Sequence, residues 1–196
     1  AMELHLAIHR HATSKLSDAQ DLFRVSTLGF RGEALASIAS ISRLAILSRS
    51  KDEEMGGEIK VEGGEEQPLV QKGMAIGTTV RVENLFYNVP ARLKFLKTDR
   101  TEKRHIENAV TRYALANPNV RFKLIEDDKL GFQSNGSGNL QEVIASVYGI
   151  SIAKQMIEVI FEDDDLKIGG YVSAPGLTRS NRREIHFFIN QRPVQD

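Results

Sequence analysis

Gly29-Phe30-Arg31-Gly32-Glu33-Ala34-Leu35 sets two glycines three residues apart at the mouth of a predicted helix, Glu33 to about Ser42. Glycine admits positive φ and lets a ligand approach the main chain without a Cβ in the way. The first amides of a helix lack partners inside it, and the helix dipole adds partial positive charge there. Such a turn suits phosphate or another anion, and Arg31 adds a cation. The same residues also read as a tight loop and an N-terminal cap. Upstream, Arg10-His11-Ala12-Thr13-Ser14-Lys15 offers hydroxyls, amides and a cation, or a plain polar loop.

Other chemistry-bearing residues fall into groups. Arg92, Lys94, Lys97, Arg100, Lys103 and Arg104 crowd a stretch with only Asp99 and Glu102 as acids. Arg179, Arg182, Arg183 and Arg192 form a second basic group. Both suit nucleic-acid phosphates, and both also read as solvated surface. His5 and His9 stand at i, i+4, a spacing that can hold metal on a helix, but no nearby Glu or Asp completes a known signature, so no metal site is expected. Asp163 to Asp165 lack the alternating spacing of a calcium loop and read as a hairpin turn. No Ser–His–acid arrangement stands out, and no G-x-x-x-x-G-K-[ST] loop occurs.

The elements that must position these groups follow from periodicity. Leu4 to His11 is helical in pattern, and a short helix or turn is expected over residues 19–25. Leu35, Ile38 and Ile41 give the helix after Glu33 an apolar face. Arg43 to Arg49 reads as a central strand, because its apolar run is nearly continuous. Glu58–Glu62 and Leu69–Lys72 read as a hairpin across Gly63-Gly64, with Pro68 on an edge. Gly77 to Val82 is a strand with Val80 and Val82 on one face. Pro90 opens a short helix to Leu96. A longer helix, Thr101 to Asn117, carries Ile106, Ala109, Val110, Tyr113 and Ala114 at helical spacing, and Asn117-Pro118-Asn119 stops it. Val120 to Leu124 and Leu130 to Gln133 pair across Asp127-Asp128. Asn135-Gly136-Ser137-Gly138 reads as a linker. Leu140 to Tyr148 is a helix capped by Gly149. Met156–Phe161 and Leu166–Ala174 form a hairpin, and Ile185–Asn190 is a third strand.

The 196 residues suffice for one large or two small domains. A hydrophobic content of 41% with 27% charged residues is ordinary for a globular protein. The chain has no cysteine, which excludes disulfides, thiolate metal sites and a cysteine nucleophile. No apolar run approaches the roughly 20 residues of a membrane span. Net charge is zero, so nucleic-acid binding must come from local patches. Ala1 before Met2 and a strand running to Asp196 suggest a piece of a longer protein.

Taken in order, Arg10 to Lys15, Gly29 to Ile38, Gly77-Thr78-Thr79 and Asn84-Leu85-Phe86-Tyr87-Asn88-Val89-Pro90-Ala91-Arg92 resemble the MutL family of DNA mismatch repair proteins, which belong to the GHKL ATPases. Thr178–Arg182 and Phe188–Arg192 resemble that family's second domain. The resemblance implies an α+β fold. A GHKL-type mixed sheet with helices on one face, incomplete, would occupy residues 1–134. Part of a ribosomal-protein-type βα, transducer-like domain would follow over 135–196. It implies that Thr13, Ser14 and Lys15 sit on a lid over ATP. Gly29, Phe30, Arg31, Gly32, Glu33, Ala34 and Leu35 would line the triphosphate, and Thr78 would face the adenine side. On charge alone, and not through the resemblance, Arg92, Lys94, Lys97, Arg179, Arg182, Arg183 and Arg192 are the candidates for DNA backbone contact. The implied cofactors are ATP and Mg²⁺. The implied partners are a MutS-type mismatch recognition protein, DNA, a second copy through ATP-dependent dimerisation, and a downstream nuclease or helicase, in a cytoplasmic, nucleoid-associated setting without membrane contact.

The resemblance also departs from the family. The family's water-activating glutamate, its Mg²⁺-holding asparagine and its adenine-reading Asp-Asn-Gly run lie upstream of Leu4. Its γ-phosphate lysine lies beyond Asp196. No catalytic residue is therefore expected in this sequence, and the piece is expected not to hydrolyse ATP. The alternative is a DNA-binding and partner-docking module without catalysis. Gln191 stands where the family usually has glycine, which puts the turn there in question.

Overall fold

The computed structural model describes residues 3–13, 29, 31–164 and 166–194. The expected helix or turn over 19–25 falls outside them. The chain divides into two compact units, Ala1–Leu96 and Lys97–Asp196.

The first unit is built on an antiparallel sheet. Helix α1 (Leu4–Ala7) and helix α2 (Ala34–Ala39) precede strand β1 (Arg43–Arg49). Strands β2 (Gly56–Glu62), β3 (Glu65–Glu66), β4 (Val70–Lys72) and β5 (Gly77–Glu83) complete a sheet ordered β3-β2-β1-β5, with β4 also on β2. Central β1 sets Leu44 opposite Val61 and Val82, and Ile46 opposite Ile59 and Val80. Cross-strand partners share a face. On that face Leu44, Ile46, Ile59 and Val61 are buried with Ile8 and Ala39, and Leu4, Leu35 and Ile38 pack around them. Val80 and Val82 carry the same face onto β5 but are exposed. The apolar layer therefore covers the β1–β2 half of the sheet. The turn from α2 into β1 is pinned by main chain: Gly64 N–H donates to Ala39 O, Gly63 N–H to Ser42 O and Phe86 N–H to Ile41 O, at 2.7–3.1 Å. Helix α3 (Pro90–Leu93) has proline in its first turn, where the missing N–H costs nothing.

The second unit opens with the 18-residue helix α4 (Asp99–Ala116). Hairpin β6 (Lys123–Glu126) and β7 (Lys129–Gln133) follows, then α5 (Leu140–Tyr148) and the short α6 (Ile150–Ala153). Hairpins β8 (Met156–Glu162) with β9 (Lys167–Ser173), and β10 (Phe187–Ile189) with β11 (Arg192–Val194), close it. Ala114, Leu115, Val143, Ile144 and Ala153 form the core, ringed by Phe122, Phe132, Met156, Tyr171 and Phe188.

Several expectations change. Only the C-terminal end of α4 enters the core; Ile106 and Tyr113, which share its apolar period, are exposed. The stretch Asn135–Gly138, read as a linker, is the entry loop of α5. Ser137 Oγ donates to Glu142 Oε2 at 2.6 Å, Asn135 Nδ2 donates to the same oxygen, and Asn139 Oδ1 caps the amides of Gln141 and Glu142. Elements on both sides of this loop share one core. The strand expected over Ile185–Asn190 pairs instead with β11, beyond its expected end, where Pro193 is tolerated at an edge.

Candidate functional site

The glycine turn is held by main chain from the segment after α1. Gly32 has φ +61°, and a Cβ there would lie 2.7 Å from the Ala12 carbonyl carbon and closer still to its oxygen. Glycine is required at this position on both counts. His11, itself at φ 66°, donates its N–H to Gly32 O at 3.0 Å. His11 Nδ1 lies 3.5 Å from Glu33 Oε1. The structure thus brings the His11–Thr13 segment onto the turn that opens α2. Sequence reasoning named both segments but not this contact. The partner is the Ala12 main chain, which carries no side-chain signal; only Gly32 marked the position in the sequence.

Around this clasp the expected residues sort by position. Glu33 is the residue before α2 and makes no side-chain cap hydrogen bond, so the first amides of the helix are not blocked by it. Arg31 and Ala34 are exposed. Among the described residues, a Cβ at Gly29 would meet nothing within 4 Å. Leu35 turns its side chain into the core and anchors the helix. Ser14, Lys15 and Phe30 lie outside the described residues. Thr78 sits on β5 opposite Ser48, and their hydroxyls are 2.8 Å apart.

The basic residues do not form one group. Arg92 lies in α3 and Lys94 just after it, in the first unit, both exposed. Lys97 is exposed at the start of the second unit, and its amide donates to Glu102 Oε1 at 2.8 Å. Arg179 is ion-paired with Glu184 at 2.6 Å. Arg182 and Arg183 are exposed in the loop between β9 and β10, while Arg192 on β11 is half-buried. An open hollow of about 420 Å³ lies elsewhere in the first unit, lined by Glu62, Gly63, Glu65, Glu66, Gln67, Tyr87 and Asn88.

In the second unit, Tyr148 Oη and His186 Nε2 are 2.8 Å apart. Burial raises the tyrosine above its ordinary value. Burial first, then the charge of Arg112, lowers the histidine, with Glu184 opposing. This pair joins α5 to the β10 hairpin and lies away from the glycine turn in sequence and in unit.

Comparison with known proteins agrees with the resemblance. A family model described as DNA mismatch repair protein, C-terminal domain, matches residues 144–196. The chain is 45% identical over 194 residues to the DNA mismatch repair protein MutL of Streptococcus equi subsp. equi, and covers 99% of this chain and 29% of that protein. It is 43% identical over 196 residues to the MutL of Limosilactobacillus reuteri, again 29% of its length. The chain therefore spans about three tenths of the curated relatives it matches. Among solved structures, the Aquifex aeolicus MutL ATPase domain complexed with ADP superposes with a TM-score of 0.72 at 32% identity, covering 92% of this chain and 67% of that one. The fold is α+β with antiparallel sheets, like the GHKL ATPase domains of its structural neighbours. The chain belongs to the MutL family of DNA mismatch repair proteins.

Proposed function

We propose that this chain carries the phosphate grip of an ATP-switched mismatch repair protein. The observation that supports this most is the Gly32 clasp: a glycine that tolerates no side chain, fixed against His11 and Ala12 at the opening of α2. The donor set suits a polyphosphate. Amides of Gly32, Glu33, Ala34 and Leu35 face the anion, and Arg31 supplies a full charge. Thr13, Ser14, Lys15 and Phe30 belong to the same grip, with 13–15 as lid. Thr78 takes the adenine side. The connectivity favours that grouping, because α2 turns back into β1 over three residues and the Ser48–Thr78 rung lies at the far end of β1.

Bound Mg²⁺–ATP supplies the scissile anhydride and the metal charge that in-line attack by water requires. Near the turn, the carboxylate among the described residues is Glu33, already paired with His11, which is a poor donor set for Mg²⁺ alone. We assign no residue of this sequence to proton abstraction. The chain alone should release no phosphate from ATP above background; turnover by a clean preparation would overturn that. In a protein of the relatives' full length, Arg31→Ala should weaken a non-hydrolysable ATP analogue roughly tenfold, about 1.4 kcal/mol. Unchanged affinity would remove Arg31 from the grip.

The wider role follows the family. ATP closes the lid and brings two copies together, and hydrolysis resets them, coupling a MutS-type protein to a downstream nuclease or helicase on DNA in the bacterial cytoplasm. Residues 1–134 are read as the ATPase part and 135–196 as the start of the second domain, a division drawn by family likeness and not by packing, since elements before and after it share one core. The family match beginning at residue 144 supports that division. A DNA-binding and docking role for the chain is compatible with this and rests on the exposed cations Arg92, Lys94, Lys97, Arg182 and Arg183.

A further inference from the structure

Away from the glycine turn, three metal-binding side chains converge at the edge of the first sheet. Ile8 is buried and Leu4 packs on the same core, which seats α1 against the sheet. That seating leaves His5 and His9, four residues apart, on one side of the segment. Glu66 arrives from β3, opposite Val61, whose side chain lies in the core that α1 covers. Glu66 therefore shares the face on which α1 sits. His5 Nδ1 contacts Glu66 Oε1, His5 Nε2 and His9 Nε2 are 3.4 Å apart, and His9 Nε2 is 3.8 Å from Glu66 Oε2. One donor atom from each residue lies within 4.8 Å of the others.

We propose that His5, His9 and Glu66 form a surface site for a borderline divalent metal, with Zn²⁺ as its reference ligand. Two Zn–N bonds of about 2.0–2.1 Å at the tetrahedral angle place the nitrogens about 3.3 Å apart. The imidazole pair stands at 3.4 Å without rearrangement. The Glu66 carboxylate, which meets His5 at Nδ1 and stands 3.8 Å from His9 Nε2, must turn from the Nδ1 side to the metal held by the two Nε2 atoms; the donor atoms of the three residues already lie within 4.8 Å of one another. Two imidazoles and one carboxylate select zinc, copper, nickel or cobalt over Mg²⁺ or Ca²⁺, which demand oxygen ligands. All three ligands are exposed enough for water to complete the coordination shell; their side chains are 54%, 52% and 25% accessible. The metal would staple α1 to β3 just ahead of the His11–Thr13 segment. This assignment is independent of the nucleotide reading.

The test is a Zn²⁺ titration of the tag-free, chelator-stripped chain by calorimetry, with the thermal midpoint followed in parallel. The expected result is one equivalent bound in the micromolar range and a midpoint that rises with free Zn²⁺. His9→Ala and His5→Ala should each abolish saturable binding, and Glu66→Gln should weaken it roughly tenfold. Circular dichroism verifies folding, and His9→Gln replaces His9→Ala if the alanine variant does not fold. Absence of a saturable heat in the parent chain, or unchanged affinity in a folded His9 variant, would show that the three residues form only an imidazole–carboxylate contact.

Discussion

Gly32 meets two constraints at once, and each predicts the outcome of a substitution. A non-glycine residue at φ +61° costs about 1–2 kcal/mol from backbone sterics alone. A Cβ there also drives into the Ala12 carbonyl. Gly32→Ala should lower stability by at least that amount and strip protection from the His11 amide, which donates to Gly32 O. Hydrogen exchange at His11 reads this directly, and a protected amide in the variant would disprove the clasp. The opposite case stands at Gln191. The two-residue turn between β10 and β11 holds Asn190 at φ 48° and Gln191 at φ 65°, the signs of a type I′ turn. The departure from the family's glycine therefore keeps the turn and strains it. Gln191→Gly should raise stability by about 0.5–1 kcal/mol, the relief of left-handed strain less the unfolded-state entropy of glycine. A denaturant midpoint that falls would contradict this.

Among elements, strand β1 and the Tyr148–His186 pair give the clearest expectations. Ile46 is 2% exposed on the central strand, and Ile46→Ala should cost about 2–5 kcal/mol, measured by denaturant unfolding. Val80, its partner on β5, is exposed, and Val80→Ala should cost far less. His186 is held below its ordinary value by burial and then by Arg112. The folded state then binds fewer protons at this site than the unfolded chain, so stability rises with pH. The His186 contribution is present above the unfolded value of about 6.5 and is lost as pH falls from there through the lowered folded value. A thermal midpoint measured from about pH 7.5 to 5.5 should drop, and His186→Gln should flatten that part of the profile.

Elements with a strong local period were legible in the sequence. Residues Arg43–Arg49 and Leu140–Tyr148 are the strand and helix read from periodicity and capping, and the β8–β9 hairpin lies where its apolar runs placed it. Short elements were not legible: α6 and β3 hold too few residues to show a period, and β11 hides behind Pro193. The clasp was half visible, since Gly32 announced a special backbone but its partner Ala12 has no side-chain signature. Glu66 was invisible as a third donor, because it reaches His5 from 61 residues away through strand pairing.

For the whole molecule, charge placement matters more than its zero sum. The exposed cations Arg92, Lys94, Lys97, Arg182 and Arg183 are divided between the two units. If they engage phosphates, log affinity for DNA should fall linearly with log salt, and Arg182→Glu should weaken binding to every sequence alike. A flat salt response would remove the backbone contacts. No helix among the described residues is long and apolar enough to cross a membrane. The exposed apolar residues of β5, Val80 and Val82, continue the face that α1 and α2 cover on β1 and β2.

The clasp at Gly32 is closed by peptide groups, not by side chains. Residue 12 is therefore free to drift among small amino acids, because any of them presents the same carbonyl. Chain length is not free in the same way: deleting one residue between His11 and Thr13 rotates that carbonyl out of register and releases the start of α2. Natural or engineered variation here should consequently favour replacements over insertions and deletions.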